Sequence, residues 1–288
     1  MLTTILQLAV SGAALGFIYA LVGIEYSLIW NSTGLLNFSH DKIITLGAYL
    51  IAGTFCGHMG LPVPVSFVIS LLVMIIVGML MATFVFNPLR KMETIFTIMG
   101  TILMGKIISE LIRLNYGAIP FTISGLMVGT IRIGNLAIAK ANVYVIVIAV
   151  VVVAALEVFS KMTKTGKAMR CVSQNKKAAE LMGINVKQNI RITGAISAVI
   201  CMIIGFMVIP LYNVSLNMAS MIGLKGFASG VVGGFGYLPG CIVGGILVGL
   251  IESMSAFVIP SVYKDAVAFL VLIVFLMVKP SGILGKKA

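Results

Sequence analysis

The 288-residue chain carries few side chains equipped for bond chemistry, and their spacing gathers none of them into a centre. Cys56, Cys171, Cys201 and Cys241 show no Cys-x-x-Cys spacing, and only His40 and His58 could join them. Neither a metal site nor a disulfide framework is expected. No Gly-x-x-x-x-Gly-Lys-Ser/Thr loop stands ready to cradle a phosphate. What remains is charge in unusual places. Lys106 and Glu110 lie four apart, a spacing that predicts a pair on one helical face. Glu25, Glu157, Lys225 and Glu252 sit in apolar stretches without such a local partner. A charge within a membrane span costs about 2.5–3.5 kcal/mol on insertion scales, so each must pair across helices or face a cavity. Glu252 leads this group as an interhelical contact. A proton relay would need several acids along one path, and these acids are scattered. No enzyme and no cofactor is expected.

A second feature suits mechanical rather than chemical work. Residues 161–191 form the longest hydrophilic stretch and hold eight Lys and Arg. Ser173 or Asn175 can cap a helix start by accepting backbone N–H groups. Ala178 to Met182 favour helix, and Gly183 supplies the left-handed residue that ends one. A helix of about two turns is too short to persist alone in water, so it must dock. Ala178, Ala179 and Met182 offer the docking surface, which implies a partner protein.

The elements around these residues follow from composition. Apolar residues (AVILMFWYC) make up 60% of the chain and charged residues only 10%, against about 25% charged in soluble domains. This excludes a soluble enzyme. It also excludes a nucleic-acid binder despite the net charge of +12, because the basic residues fall between apolar stretches rather than on one solvated face. Met1 to Gln7 lack the basic start of a cleavable signal and read as the beginning of a membrane helix. A span needs about 20 apolar residues. That length divides the chain into nine segments, 5–30, 42–58, 62–87, 95–113, 143–160, 188–210, 218–237, 240–259 and 263–280, within an expected range of 8–10. The second and seventh read as broken or re-entrant. With the N-terminus outside, the inner loops hold fourteen Lys and Arg and the outer loops four. That asymmetry places 161–191 and the C-terminus, including Lys286 and Lys287, in the cytoplasm. The polar 114–142 stretch, with Pro120, Ser124 and Gly125, reads as an external loop with short extended pieces.

Two stretches interrupt the apolar pattern. Asn31 to Gly34 and Asn37 to Asp41 place turn and cap residues between two apolar runs, so the chain is expected to break near the inner surface. A helix start there could hold a carboxylate or a partner subunit, which makes Asn37, Ser39 and His40 candidate pathway or gate residues. The glycine-rich 223–245 stretch predicts close helix packing, and a bend from Phe235 and Gly236 to Gly240 is a candidate hinge along the transport path.

Three stretches resemble one family over residues 34–285. They are Gly34-Leu-Leu-Asn-Phe-Ser-His40; Gly166-Lys-Ala-Met-Arg170 with Ala178-Ala-Glu180-Leu-Met-Gly183; and Lys225-Gly-Phe227 through Gly233 to Gly245, Glu252, Tyr263-Lys-Asp265 and Pro280 to Gly285. The whole chain resembles the permease subunits of branched-chain amino-acid ATP-binding-cassette importers, the LivH and LivM type, and LivH more closely. The resemblance implies an all-α polytopic transmembrane bundle forming one permease domain over 1–288. It further implies a second homologous permease, two cytoplasmic ATPases and an extracytoplasmic substrate-binding protein, in a prokaryotic inner membrane. Gly166, Arg170, Ala178, Ala179, Glu180 and Gly183 then couple to an ATPase, with Lys177 where many families have Glu. Asp41 and Lys42 also depart from the family, which usually has Gly and an acid there. The same machinery could carry urea or short amides. From another class, an autonomous secondary transporter would need no ATPase.

Overall fold

The computed structural model describes residues 2–123, 127, 129–133 and 136–285. Ser124, Gly125, Lys286 and Lys287 lie outside these. Along the chain stand α1 (Leu2–Thr33), α2 (His40–Tyr49), α3 (Val63–Met81), α4 (Asn87–Leu89), α5 (Thr94–Tyr116), β1 (Thr130–Ile133), β2 (Leu136–Ala139), α6 (Lys140–Met162), α7 (Lys164–Gln174), α8 (Lys176–Leu181), α9 (Val186–Val208), α10 (Ser220–Gly233), α11 (Leu238–Ser255) and α12 (Lys264–Val278). Two π-helical runs extend the helices before them, Leu50–His58 after α2 and Ala82–Phe86 after α3.

Six helical stretches among the described residues are long and apolar enough to cross a membrane: Thr3–Thr33, Val63–Leu89, Thr94–Tyr116, Lys140–Met162, Val186–Val208 and Leu238–Ser255. The fold is an all-α polytopic bundle. The other three expected segments are helical but differ in kind. The second carries His40, Asp41 and Lys42 in its first turn and passes into the π-helix. The seventh and ninth, α10 and α12, have 14 and 15 residues, about 21 and 22 Å at 1.5 Å per residue. The expected extended pieces of the 114–142 stretch are β1 and β2, an antiparallel hairpin in register Thr130↔Ala139.

The chain divides into two compact units, and α1 and α6 each run from one into the other. The first holds Met1–Ser27, Ile123–Val151 and Ser220–Ala288. Its helices meet through glycine. A methyl group on Gly12 would stand 2.7 Å from Ser253 Cβ, one on Gly16 would stand 2.7 Å from Ile246 Cα, and one on Gly249 would collide with the Gly16 backbone. This order of contacts makes α1 and α11 antiparallel. Tight packing of small residues replaces the hydrophobic effect as the force between helices in lipid. Gly23 meets Gly226 and Gly230 where α10 crosses α1. The hairpin is tied to α1 by Gln7 Nε2, which donates to the Ala137 carbonyl at 3.1 Å.

The second unit holds Leu28–Thr122 and Val152–Ala219. Its core element is α9, against which α2 and α3 pack closely. A methyl on Gly47 would stand 2.7 Å from Met202 Cα, and one on Gly78 would stand 2.8 Å from Ala195 Cα. Phe67 and Phe206 meet edge to face at 5.2 Å.

Replacing Gly16 or Gly249 with Val should force α1 and α11 apart and cost about 1–3 kcal/mol, the usual range for overpacking. The melting temperature of the detergent-purified protein should fall for either substitution; unchanged melting would refute the close-packed reading.

Candidate functional site

The hydrophilic stretch folds as two short helices. Thr163 caps α7, its Oγ1 accepting from Gly166 N at 2.9 Å. Gly166 is buried so tightly against the end of α6 that a methyl there would stand 2.6 Å from Ser160 Cα. Asn175 then caps α8, its Oδ1 accepting from Ala178 N at 3.0 Å; Ser173 instead lies within α7 and bonds back to the Arg170 carbonyl. Gly183 takes φ +82°, the left-handed conformation expected of it. The surface differs from the expected one in one respect. Ala179 is 3% exposed and turns inward, and Leu181, at 88%, joins Ala178 and Met182, at 83%, on the outside. Only six residues separate the two caps, so which alanine points out depends on how α8 lies against its own chain, and spacing alone does not fix that. Arg170 and Glu180 are exposed. Lys176, at the start of α8, is partly buried beside Gly34. That burial, and then the charge of Arg90, hold its ammonium below the ordinary lysine range.

Asn37, Ser39 and His40 are brought together and buried, at 0, 0 and 3% exposed. Asn37 Oδ1 accepts from Ser39 N at 3.1 Å and from Ser39 Oγ at 2.6 Å. The expected location near the inner surface is corrected. Phe38 N donates to Thr101 Oγ1 at 3.3 Å, and Ser39 packs on Gly105. Gly105 is eleven positions from either end of Thr94–Tyr116, about 17 Å along the helix axis. The chain between α1 and α2 therefore climbs to the middle of a spanning helix before α2 starts. Lys42, counted from sequence with the inner loop, stands at that same height beside Gly105. It donates to the Leu216 carbonyl and to Asn217 Oδ1, at 3.3 and 3.1 Å, and lies 3.3 Å from Asp41.

The remaining pathway candidates lie in the other unit, at opposite ends of α11. Phe235 stacks edge to face on Phe227 at 5.7 Å, and Gly236, at φ +86°, donates its N–H to Ser27 Oγ. Near the far end, Glu252 Oε1 lies 2.7 Å from Lys225 Nζ, and its Oε2 accepts from Tyr19 OH at 2.9 Å. Lys225 also reaches Asp265 at 2.6 Å and stands 5.8 Å over the Tyr19 ring. One ammonium thus ties α1, α10, α11 and α12 together, with Lys225 and Glu252 both buried. Two sequence expectations about charge fail locally. Glu110 pairs with Arg113 rather than Lys106, at 2.7 Å, and Glu157 has a partner four residues on, Lys161, at 2.6 Å. Asp265 was missed, because its partner is 40 positions away and only the packing of α12 on α10 joins them.

Helices of this length and apolarity, interrupted at half height and clasped by a buried ion pair, define a multi-pass α-helical membrane protein. The family model described as the permease component of the branched-chain amino acid transport system matches residues 8–276. The chain belongs to that family. It is similar to the branched-chain amino acid permease BraD of Pseudomonas aeruginosa, with 30% identity over 98% of this chain and 96% of that protein. It is also similar to LivH of Escherichia coli, at 28%, and LivH of Salmonella typhimurium, at 27%, over the same shares of each chain. These relatives are transport permeases. No solved structure matches the chain.

Removing one partner of a buried ion pair costs about 3–5 kcal/mol, whereas replacing both with apolar residues is often neutral. Glu252→Ala should therefore lower the melting temperature strongly, Glu252→Gln less, and Lys225→Met with Glu252→Leu should recover most of the loss. If the double variant melts no higher than Glu252→Ala, the pair is not what holds these helices together.

Proposed function

We propose that this chain is the transmembrane permease subunit of an ATP-driven importer of branched-chain amino acids, and that it catalyses no bond chemistry itself. The observation that carries the reading is α8. A six-residue helix with both ends capped presents Leu181 and Met182 to the surroundings, and two large apolar side chains on a short polar loop call for a protein to cover them. Family membership supports the cargo class, and the names of BraD and LivH as branched-chain amino acid permeases support it further.

On this reading α7 and α8 face the cytoplasm and seat in an ATPase, with Gly166, Arg170, Ala178, Ala179, Glu180 and Gly183 shaping the seat. The excess of Lys and Arg in 161–191 supports that side, and the C-terminus shares it. Two such ATPases, a second homologous permease and an extracytoplasmic binding protein complete the machine, in the inner membrane of a prokaryote. The chain nearest to a phosphate loop in sequence, Gly100 to Lys106, lacks the closing Ser or Thr and lies within α5. Energy must then come from the docked neighbour, which favours one conformation of the permease and so shifts its population. Gly166 at the end of α6, and Asn185 capping α9 through Gln188 N at 3.0 Å, give the loop two short connections to spanning helices.

Leu181→Asp with Met182→Asp should leave the spans inserted and ATP hydrolysis present, and lower ATP-driven leucine uptake about tenfold or more, the effect of losing a binding hot spot. Proteoliposome uptake of labelled leucine and urea, with co-purification of the ATPases, checks this. Flux through the purified chain alone without ATP would overturn the reading in favour of an autonomous transporter, and uptake of urea in place of leucine would overturn the cargo.

A further inference from the structure

The start of α2 lies where polar groups are hardest to keep. At the mid-height of α5, hydrocarbon offers no hydrogen bonds, and irregular backbone is tolerated only where protein or a watery cavity lines it. Broken helices at this depth are where transporters bind their cargo, with helix N-termini facing anionic groups. Three observations in the second unit say what kind of cargo would suit this break.

Asn37 is fully buried and keeps an unused donor. Its Oδ1 is engaged twice by Ser39, which fixes the amide against the first turn of α2, while Nδ2 has no hydrogen-bond partner. An orphaned buried donor costs about 1–3 kcal/mol, so an acceptor that arrives there recovers a penalty already present in the fold. Four and five residues on, in the first turn of α2, stand two opposite charges, Asp41 and Lys42, 3.3 Å apart and 17 and 13% exposed. They are the partly exposed members of the cluster. Lys42 also donates to Leu216 O and Asn217 Oδ1, neutral acceptors that a carboxylate can outcompete for an ammonium.

The pairing of signs is what selects the ligand. A site for a simple anion would not place Asp41 at the helix start, and a neutral solute such as urea has no need for either charge at a depth where each is expensive. An α-amino acid carries a carboxylate and an ammonium on one carbon, and requires an acceptor and a donor side by side. We infer that the start of α2, through Asn37, Asp41 and Lys42, holds the zwitterionic head of an α-amino acid on its way through the membrane. The carboxylate sits on the Lys42 ammonium and the Asn37 amide at the positive end of α2, and the ammonium sits on Asp41. This inference rests on the transport reading and adds the head-group chemistry to it.

The test uses the full chain co-purified with its native partner subunits and held in nanodiscs without the binding protein, so that only the membrane site is read. Binding of tritiated leucine is competed with leucinamide, which lacks the carboxylate, and with 4-methylpentanoate, which lacks the ammonium. In the unmodified protein each analogue should compete about tenfold or more worse than leucine, the loss expected for one charged hydrogen bond. Lys42→Met should weaken leucine by about tenfold and bring leucinamide level with it; Asp41→Asn should do the same for 4-methylpentanoate; Lys42→Arg should retain the preference for leucine. Absence of saturable leucine binding, equal competition by all three compounds in the unmodified protein, or variants that weaken all three in equal proportion would overturn the inference. The competition series on the unmodified protein decides it even if the variants fail to fold. ATP-driven leucine uptake by the same preparation in proteoliposomes separates the two ideas: uptake without head-group discrimination removes this site and leaves the transport reading, whereas no leucine uptake removes both.

Discussion

A chain surrounded by hydrocarbon must satisfy its own backbone and its own charges, because there is no water to do it. The breaks and charges of the spanning region answer to that constraint. Where the chain stays helical it needs nothing further. Where it breaks, at Thr33 to His40, side chains take over: Thr33 Oγ1 accepts from Leu35 N at 3.0 Å, Thr101 Oγ1 accepts from Phe38 N, and Asn37 Oδ1 accepts from Ser39 N. The polar residues in that short stretch are therefore the structural condition for a break at mid-span, and they leave the Asn37 donor without a partner beside the chain break.

The charges obey the same rule by two routes. Glu157 and Glu110 stay on exposed helix faces with partners one turn away on the same helix, worth a few tenths of a kcal/mol each. Lys225 and Glu252 are taken out of solvent and joined across helices, with Tyr19 donating to Glu252 and Asp265 accepting from Lys225. The second arrangement is the demanding one, since its parts come from four helices and must arrive together.

How much of this could be read from sequence follows from the range of each interaction. In the hydrophilic 161–191 loop, α8 with its Asn175 cap and the left-handed Gly183 was legible, because these are contacts within a few residues, whereas α7 and its Thr163 cap were not anticipated. The family was legible from three stretches of chain. The height of the α2 start was not, because turn residues look alike at a membrane surface and in its middle. Contacts with α5 more than 60 positions on, Phe38 with Thr101 and Ser39 with Gly105, fix the depth. The same holds for Asp265 and for the inward turn of Ala179. Spacing rules also misassigned Glu110, where Lys106 and Arg113 were both within reach of one helical face and the shorter separation won.

The four thiols are distributed very unevenly. Cys201 and Cys241 are buried and Cys56 is half-buried, whereas Cys171 is exposed on α7, within a few residues of α8. Thiol reagents act on what solvent reaches, so a maleimide fluorophore should settle on Cys171 first, without any engineered cysteine. The protein carries its own attachment point for an optical ruler, five residues before the start of α8.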